Sequence, residues 1–162
     1  MKIDKDYLRT SIFGFEDALV STTGVVVGIS TGIANKEFIL LAASVTIAVE
    51  AISMTAGQFI SERAFHQIDR ARRHHDNLAV GAFIMFLSYL IGGIIPVLPL
   101  FFMNLPEAII FVLIFAFLGL FTLGYVKGKI VKVSPTRSAM ETIFIGGAAT
   151  IIGVIAGYFL KI

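Results

Sequence analysis

Cysteine is absent from the 162 residues, so there is no disulfide framework, no thiolate metal site and no redox compartment to infer. Charge is scarce as well. Only 15% of residues are Asp, Glu, Lys or Arg, where a soluble domain carries roughly a quarter. With 57% hydrophobic residues and a mean hydropathy of +0.90, that deficit excludes the soluble class. The formal net charge of +2 is no nucleic-acid signature, because the basic residues fall between apolar runs. No polar stretch is long enough to fold alone, and no internal repeat is visible. A cleavable signal is not expected either: the first apolar run is long enough to span and contains Glu16 and Asp17.

What the chain does have is apolar runs of about twenty residues, the length that crosses a hydrocarbon core about 30 Å thick. Five fit, at about 13–33, 38–60, 78–102, 107–126 and 139–160. The expected fold is therefore an all-α integral membrane protein of five transmembrane helices, one membrane domain over 1–162. Asn35-Lys36-Glu37 is too short for anything but an antiparallel hairpin turn. Asn104-Leu105-Pro106 turns the chain again, with Pro106 suited to the start of the next helix. Pro96 and Pro99 are expected to end or kink the outer end of the third span.

The polar segment 61–77 and the basic loop 127–137 carry most of the Lys and Arg, together with Lys2, Lys5 and Arg9. Only Lys36 and Lys161 fall on the opposite side. The positive-inside rule then puts the N-terminus in the cytoplasm and the C-terminus outside. An odd, thin bundle shields polar groups poorly, which favours a symmetric homodimer with the site near its interface.

Carboxylates inside such spans are costly, and they mark function by default. Gly14, Asp17, Ser21, Gly24, Gly28 and Thr31 recur at three- and four-residue steps, so they share one helical face. Gly24, Gly28 and Gly32 add a small-residue packing stripe, which turns Asp17 toward a helix contact and away from lipid. On the second span Glu50, Met54, Gly57 and Ser61 share a face in the same way, with Gly57 as a further helix-packing glycine. Asp17 and Met54 fall about 6 and 9 Å from the same membrane surface, so they can occupy one layer, with Glu50 a turn deeper. Two carboxylates and a thioether suit a transition metal, since the soft sulfur disfavours Mg²⁺ and Ca²⁺. Read singly, Met54 is core filler and Glu50 a protonated helix–helix hydrogen-bonder. Their conjunction with Asp17 on facing stripes favours the metal.

The runs Phe13-Gly14-Phe15-Glu16-Asp17-Ala18-Leu19-Val20-Ser21 and Ser53-Met54-Thr55-Ala56-Gly57-Gln58-Phe59-Ile60-Ser61 resemble the vacuolar iron transporter family. Its members show an aspartate, a small residue and Leu-Val-Ser on the first helix. On the second they show Ser-Met, two small residues and Gly-Glu. The resemblance implies a dimeric exporter of Fe²⁺, in some members Mn²⁺, in exchange for protons. It places the family's first-helix aspartate on Asp17 and its second-helix methionine on Met54. Glu50 and Glu16 are added as metal-path residues from burial and depth. Two departures stand out. Gln58 replaces the family's glutamate, and only Ser61 to Asn77 stands where eukaryotic members carry a long metal-collecting domain. In that segment Glu62, His66 and Asp69 share a helical face that would suit weak cytosolic metal capture, but Arg63, Arg70, Arg72 and Arg73 repel a divalent cation. A solvated, orientation-setting helix is the preferred reading there.

The expected activity is export of a divalent transition metal, with lipid, the metal, protons and a second copy as partners. No permanently bound cofactor is expected. Two rivals are a non-transporting scaffold subunit and a proton-coupled transporter of another cation. An enzyme is not expected, because no nucleophile–base pair or metal-hydrolase spacing occurs. Compact loops point to a prokaryotic plasma membrane, with a vacuole-like organelle as the alternative.

Overall fold

A computed structural model of the chain describes residues 5–68 and 77–159. It contains five α-helices: α1 (Lys5–Gly32), α2 (Lys36–Ile68), α3 (Leu78–Phe102), α4 (Glu107–Val131) and α5 (Pro135–Phe159). All five are long and apolar enough to cross a membrane, and no strand occurs among the described residues. The protein is an all-α membrane-spanning type.

Side-chain caps and tight turns set the helix ends. Asn35 Oδ1 accepts the backbone N–H of Phe38 at 2.8 Å, so Lys36 and Glu37 belong to the first turn of α2 rather than to the connection. Asn77 caps α3 in the same way, accepting from Ala79 at 2.9 Å and Val80 at 3.4 Å. Lys132 ends α4 in the left-handed conformation (φ 62°, ψ 38°), where the N–H of Val133 reaches back to the Gly128 carbonyl at 3.0 Å. Pro96 and Pro99 do not end α3. The helix continues through both to Phe102, and the Met103 N–H donates to the Pro99 carbonyl at 2.9 Å.

The helices also outrun their apolar runs. At 33 residues, α2 is about 50 Å long, well beyond the hydrocarbon thickness, so residues 61–68 of the polar segment are helical. The stretch 127–131 belongs to α4, which leaves only Lys132, Val133 and Ser134 between α4 and α5. Hydropathy marks where hydrocarbon begins, whereas backbone hydrogen bonding carries a helix on into the headgroup region.

Helix α1 is the central element and touches all four others. Glycines let its neighbours approach at backbone distance. A Cβ on Gly28 would lie 2.7 Å from the Gly153 carbonyl oxygen of α5, and one on Gly92 of α3 would lie 2.7 Å from the Phe15 carbonyl oxygen. The main apolar cluster joins Val26, Ile39, Ala43, Val97, Leu100 and Val112. A smaller one joins Ala18, Ala51 and Tyr89, with Met54 packed against it. Outward faces present large apolar side chains such as Phe144, Ile152 and Leu118, as a lipid-facing surface requires.

Candidate metal path

Three helices bring polar groups together inside this apolar frame. Glu50, midway along α2, accepts at Oε2 a hydrogen bond from Ser21 Oγ of α1 at 3.1 Å. The same oxygen accepts a short hydrogen bond from the Tyr89 hydroxyl of α3, and the Ser21 and Tyr89 hydroxyls meet at 2.7 Å. Tyr89 is fully buried. Asp17 lies one helical turn before Ser21, half-buried, within electrostatic reach of Glu50 and Glu16. Met54, one turn after Glu50, packs on the Ala18–Ala51–Tyr89 cluster, beside the α1 turn that carries Asp17.

These groups do not close into a cage. Among the described residues no group of three or more His, Cys, Asp or Glu gathers closely enough to hold a metal ion. Glu16 is drawn elsewhere: its carboxylate lies 4.0 Å from Lys127 Nζ of α4, with both side chains mostly buried. Lys127 also donates to Thr142 Oγ1 of α5 at 3.1 Å. The charge of Lys127, expected in a solvated basic loop, instead ties α1, α4 and α5 together.

The candidates in the polar segment have other ties. Glu62 forms an ion pair with Arg9 of α1 and accepts from Gln58 Nε2 at 3.2 Å. Gln58 Nε2 also donates to Thr10 Oγ1 at 3.0 Å. Glu62 is thus held by a cation and an amide. His66 stands on the last turn of α2, and Asp69 lies outside the described residues. Gln58, noted in the sequence only as a departure, has become the donor that clasps α1 to α2.

The packing glycines also divide. Gly24 and Gly28 face Ala149 and Gly153 of α5, whereas a Cβ on Gly57 would meet nothing within 4 Å. Gly32, with Ser21, Gly24 and Gly28, lines an apolar groove of about 690 Å³ between α1 and α5.

Tyr89 is the residue that sequence reasoning missed. A tyrosine inside Phe86-Leu87-Ser88-Tyr89-Leu90-Ile91 reads as ordinary core. The signal that could have found it is depth, because a hydroxyl near mid-span needs a partner there and Glu50 is the acid at that level.

Comparison with known proteins finds related sequences. The sequence model of the VIT family matches residues 8–81 and 64–158. The chain is 39% identical over 72 residues to vacuolar iron transporter 1 of Arabidopsis thaliana, a match covering 43% of this chain and 28% of that protein. It is 31% identical over 70 residues to vacuolar iron transporter 1 of Eucalyptus grandis, again covering 43% and 28%. Vacuolar iron transporter homolog 2 of Arabidopsis thaliana matches at 24% identity over 154 residues, 88% of this chain and 79% of that protein. Against the two vacuolar iron transporter 1 proteins, then, the match spans little more than a quarter of their length.

Proposed function

The chain belongs to the VIT family, and from that premise we propose that it carries a divalent transition metal, Fe²⁺ or alternatively Mn²⁺, out of the cytoplasm in exchange for protons. The names of its relatives support iron as the cargo, and a family of transporters points away from an enzyme. The observation that carries the reading is an acid bound by hydroxyls from two other helices, within membrane-spanning helices, with a second acid and a thioether one turn away.

Coupling follows from the cost of the journey. Outward movement against an inside-negative potential costs about 2.3 kcal/mol per charge per 100 mV, so about 4.6 kcal/mol for a divalent ion. Passive flow would run inward. Carboxylates that alternate between metal and proton supply the exchange, with Asp17 and Met54 binding the ion and Glu50 or Glu16 trading it for a proton. Of these, Glu16 already has a cationic neighbour in Lys127, which favours Glu50 for the exchange.

A homodimer is part of the proposal. Among the described residues one protomer gathers no group of three or more His, Cys, Asp or Glu that could hold a metal ion, and a two-fold axis beside α1 would double Asp17, Glu50 and Met54. The groove beside α1, lined by glycines and Ser21, supplies a surface on which a second copy fits. The Lys/Arg asymmetry supports a cytoplasmic N-terminus. A prokaryotic plasma membrane remains our preferred location, with a vacuole-like membrane, as in the relatives' names, as the alternative.

The scaffold reading has one observation in its favour: Glu50 joins three helices and would do so in a protein that transports nothing. Purified protein in liposomes separates the readings. Asp17→Ala should abolish metal-driven proton movement and metal uptake while leaving the protein folded. Unchanged uptake would sink the assignment of Asp17, and a wild type that moves no metal would leave the scaffold.

A further inference from the structure

The two carboxylate oxygens of Glu50 are not equivalent. Oε2 accepts from both Ser21 and Tyr89, while Oε1 accepts no hydrogen bond among the described residues. A carboxylate offers about four lone-pair sites over its two oxygens, so two hydroxyl donors use those of Oε2. Neither donor is free to leave. Tyr89 is fully buried, with its ring in the cluster of Ala18 and Ala51, and Ser21 is half-buried on the turn after Asp17.

A cation that approaches Glu50 therefore meets one oxygen. That geometry bears on ion choice. Ca²⁺ fills a shell of about 6–8 oxygens and readily takes both oxygens of a carboxylate. Mn²⁺ and Fe²⁺ fill smaller shells of about six ligands, which one oxygen per carboxylate can serve, and Fe²⁺ also accepts nitrogen or sulfur among them. Resting on the transport reading above, we propose that Tyr89 and Ser21 are positioning residues that pin one oxygen of Glu50 and so bias the metal path against Ca²⁺. Neither need touch the ion. They act by denying Glu50 its two-oxygen mode.

The test uses the full chain in liposomes, with Mn²⁺ as the transported probe and Ca²⁺ as competitor. Wild type should take up Mn²⁺ with weak inhibition by Ca²⁺. Tyr89→Phe keeps the ring and deletes the hydroxyl, and Ser21→Ala deletes the other hydroxyl. Each should lower the preference for Mn²⁺ over Ca²⁺ by about tenfold, the scale of one lost hydrogen bond to an ionised group. The change should fall in the KM for Mn²⁺ and the inhibition constant of Ca²⁺, with turnover little altered. Ser21→Thr restores a hydroxyl and should keep the wild-type preference.

A purely structural role for Tyr89 would lower turnover and leave the ion preference where it was, and that result overturns the proposal. Equal loss of preference in Ser21→Thr and Ser21→Ala assigns the effect to packing and overturns it too. Should Tyr89→Phe fail to fold, the two Ser21 variants decide the matter alone. Wild-type uptake with an unmoved preference removes this inference only. Absence of any wild-type Mn²⁺ uptake removes the transport reading, and this inference with it.

Discussion

Helix α1 is held on its two flanks by opposite means. Toward α5, and toward α3 at Gly92, the backbones meet through glycine, with Gly92 against Phe15 and Gly28 against Gly153. Toward α2 the approach is looser and bridged by polar side chains: Arg9 to Glu62, Gln58 to Thr10, and Ser21 to Glu50. Dispersion holds the first seam, which has no slack, because dense packing tolerates little change of volume. Hydrogen bonds hold the second, which keeps polar groups between the helices. An ion path between helices needs the second kind of seam and a rigid partner to work against. The chain supplies both on one helix.

The largest expected effect comes from breaking the glycine seam. Gly28→Leu puts a side chain where even a Cβ would sit 2.7 Å from the Gly153 carbonyl oxygen, and overpacking of this kind costs about 1–3 kcal/mol or more. Neither backbone can yield without parting α1 from α5. The variant should lose most of its folded fraction by size-exclusion profile and thermal unfolding in detergent. Gly57→Ala is the matched control. A Cβ there meets nothing within 4 Å, so the protomer should lose no stability and gain up to about 1 kcal/mol from the stiffer backbone. A Gly28→Leu protein as stable as wild type would remove the distinction between the flanks.

A smaller effect is expected on the polar seam. Gln58→Glu replaces an amide that donates to both Thr10 and Glu62 by a carboxylate with no proton to give. It also places like charges four residues apart on one helix, which is destabilising by a few tenths of a kcal/mol. With the lost hydrogen bonds, the cost should be about 1–2 kcal/mol, seen as a modest drop in melting temperature with the fold retained. Glu62→Gln in the same chain should recover part of it. A Gln58→Glu loss as large as that of Gly28→Leu would mean the polar seam is as unyielding as the other.

The two flanks also differed in how far they could be read from sequence. Period and hydropathy place the spans and the Gly24–Gly28–Gly32 stripe, because both depend on spacing within one helix. Asp17 and Glu50 stand out as acids among apolar residues for the same reason. Which helix each group meets is another matter. Tyr89 gains meaning only when α3 is laid beside Glu50. Lys127 looked like an orientation signal because hydropathy stops near Val126, whereas the helix runs to Val131. Gly124 and Gly128 bring α4 onto the start of α5 at Ala139 and Pro135, and that approach turns Lys127 inward to Glu16 and Thr142. Pairing between helices is a tertiary fact, and one chain without its neighbours' depths does not encode it locally.

The finest distinction rests on two adjacent hydroxyls. Ser21 points to the polar flank, where it donates to Glu50 and lies 2.7 Å from the Tyr89 hydroxyl. Thr22 points to the glycine flank, where a Cβ on Gly93 would lie 3.2 Å from its Oγ1. That Oγ1 is buried with no hydrogen-bond partner among the described residues, although Thr23 next to it bonds back to the Leu19 carbonyl at 2.6 Å. An unsatisfied buried hydroxyl costs about 1–3 kcal/mol, and valine has nearly the same shape without it. Thr22→Val should therefore leave metal uptake unchanged and raise stability by about 1 kcal/mol or less, a shift at the edge of what a thermal melt resolves. A loss of uptake or of stability would show that Thr22 finds a partner in the working protein. The glycine flank would then carry a polar function, and α1 could no longer be divided into a close-packed seam and a polar one.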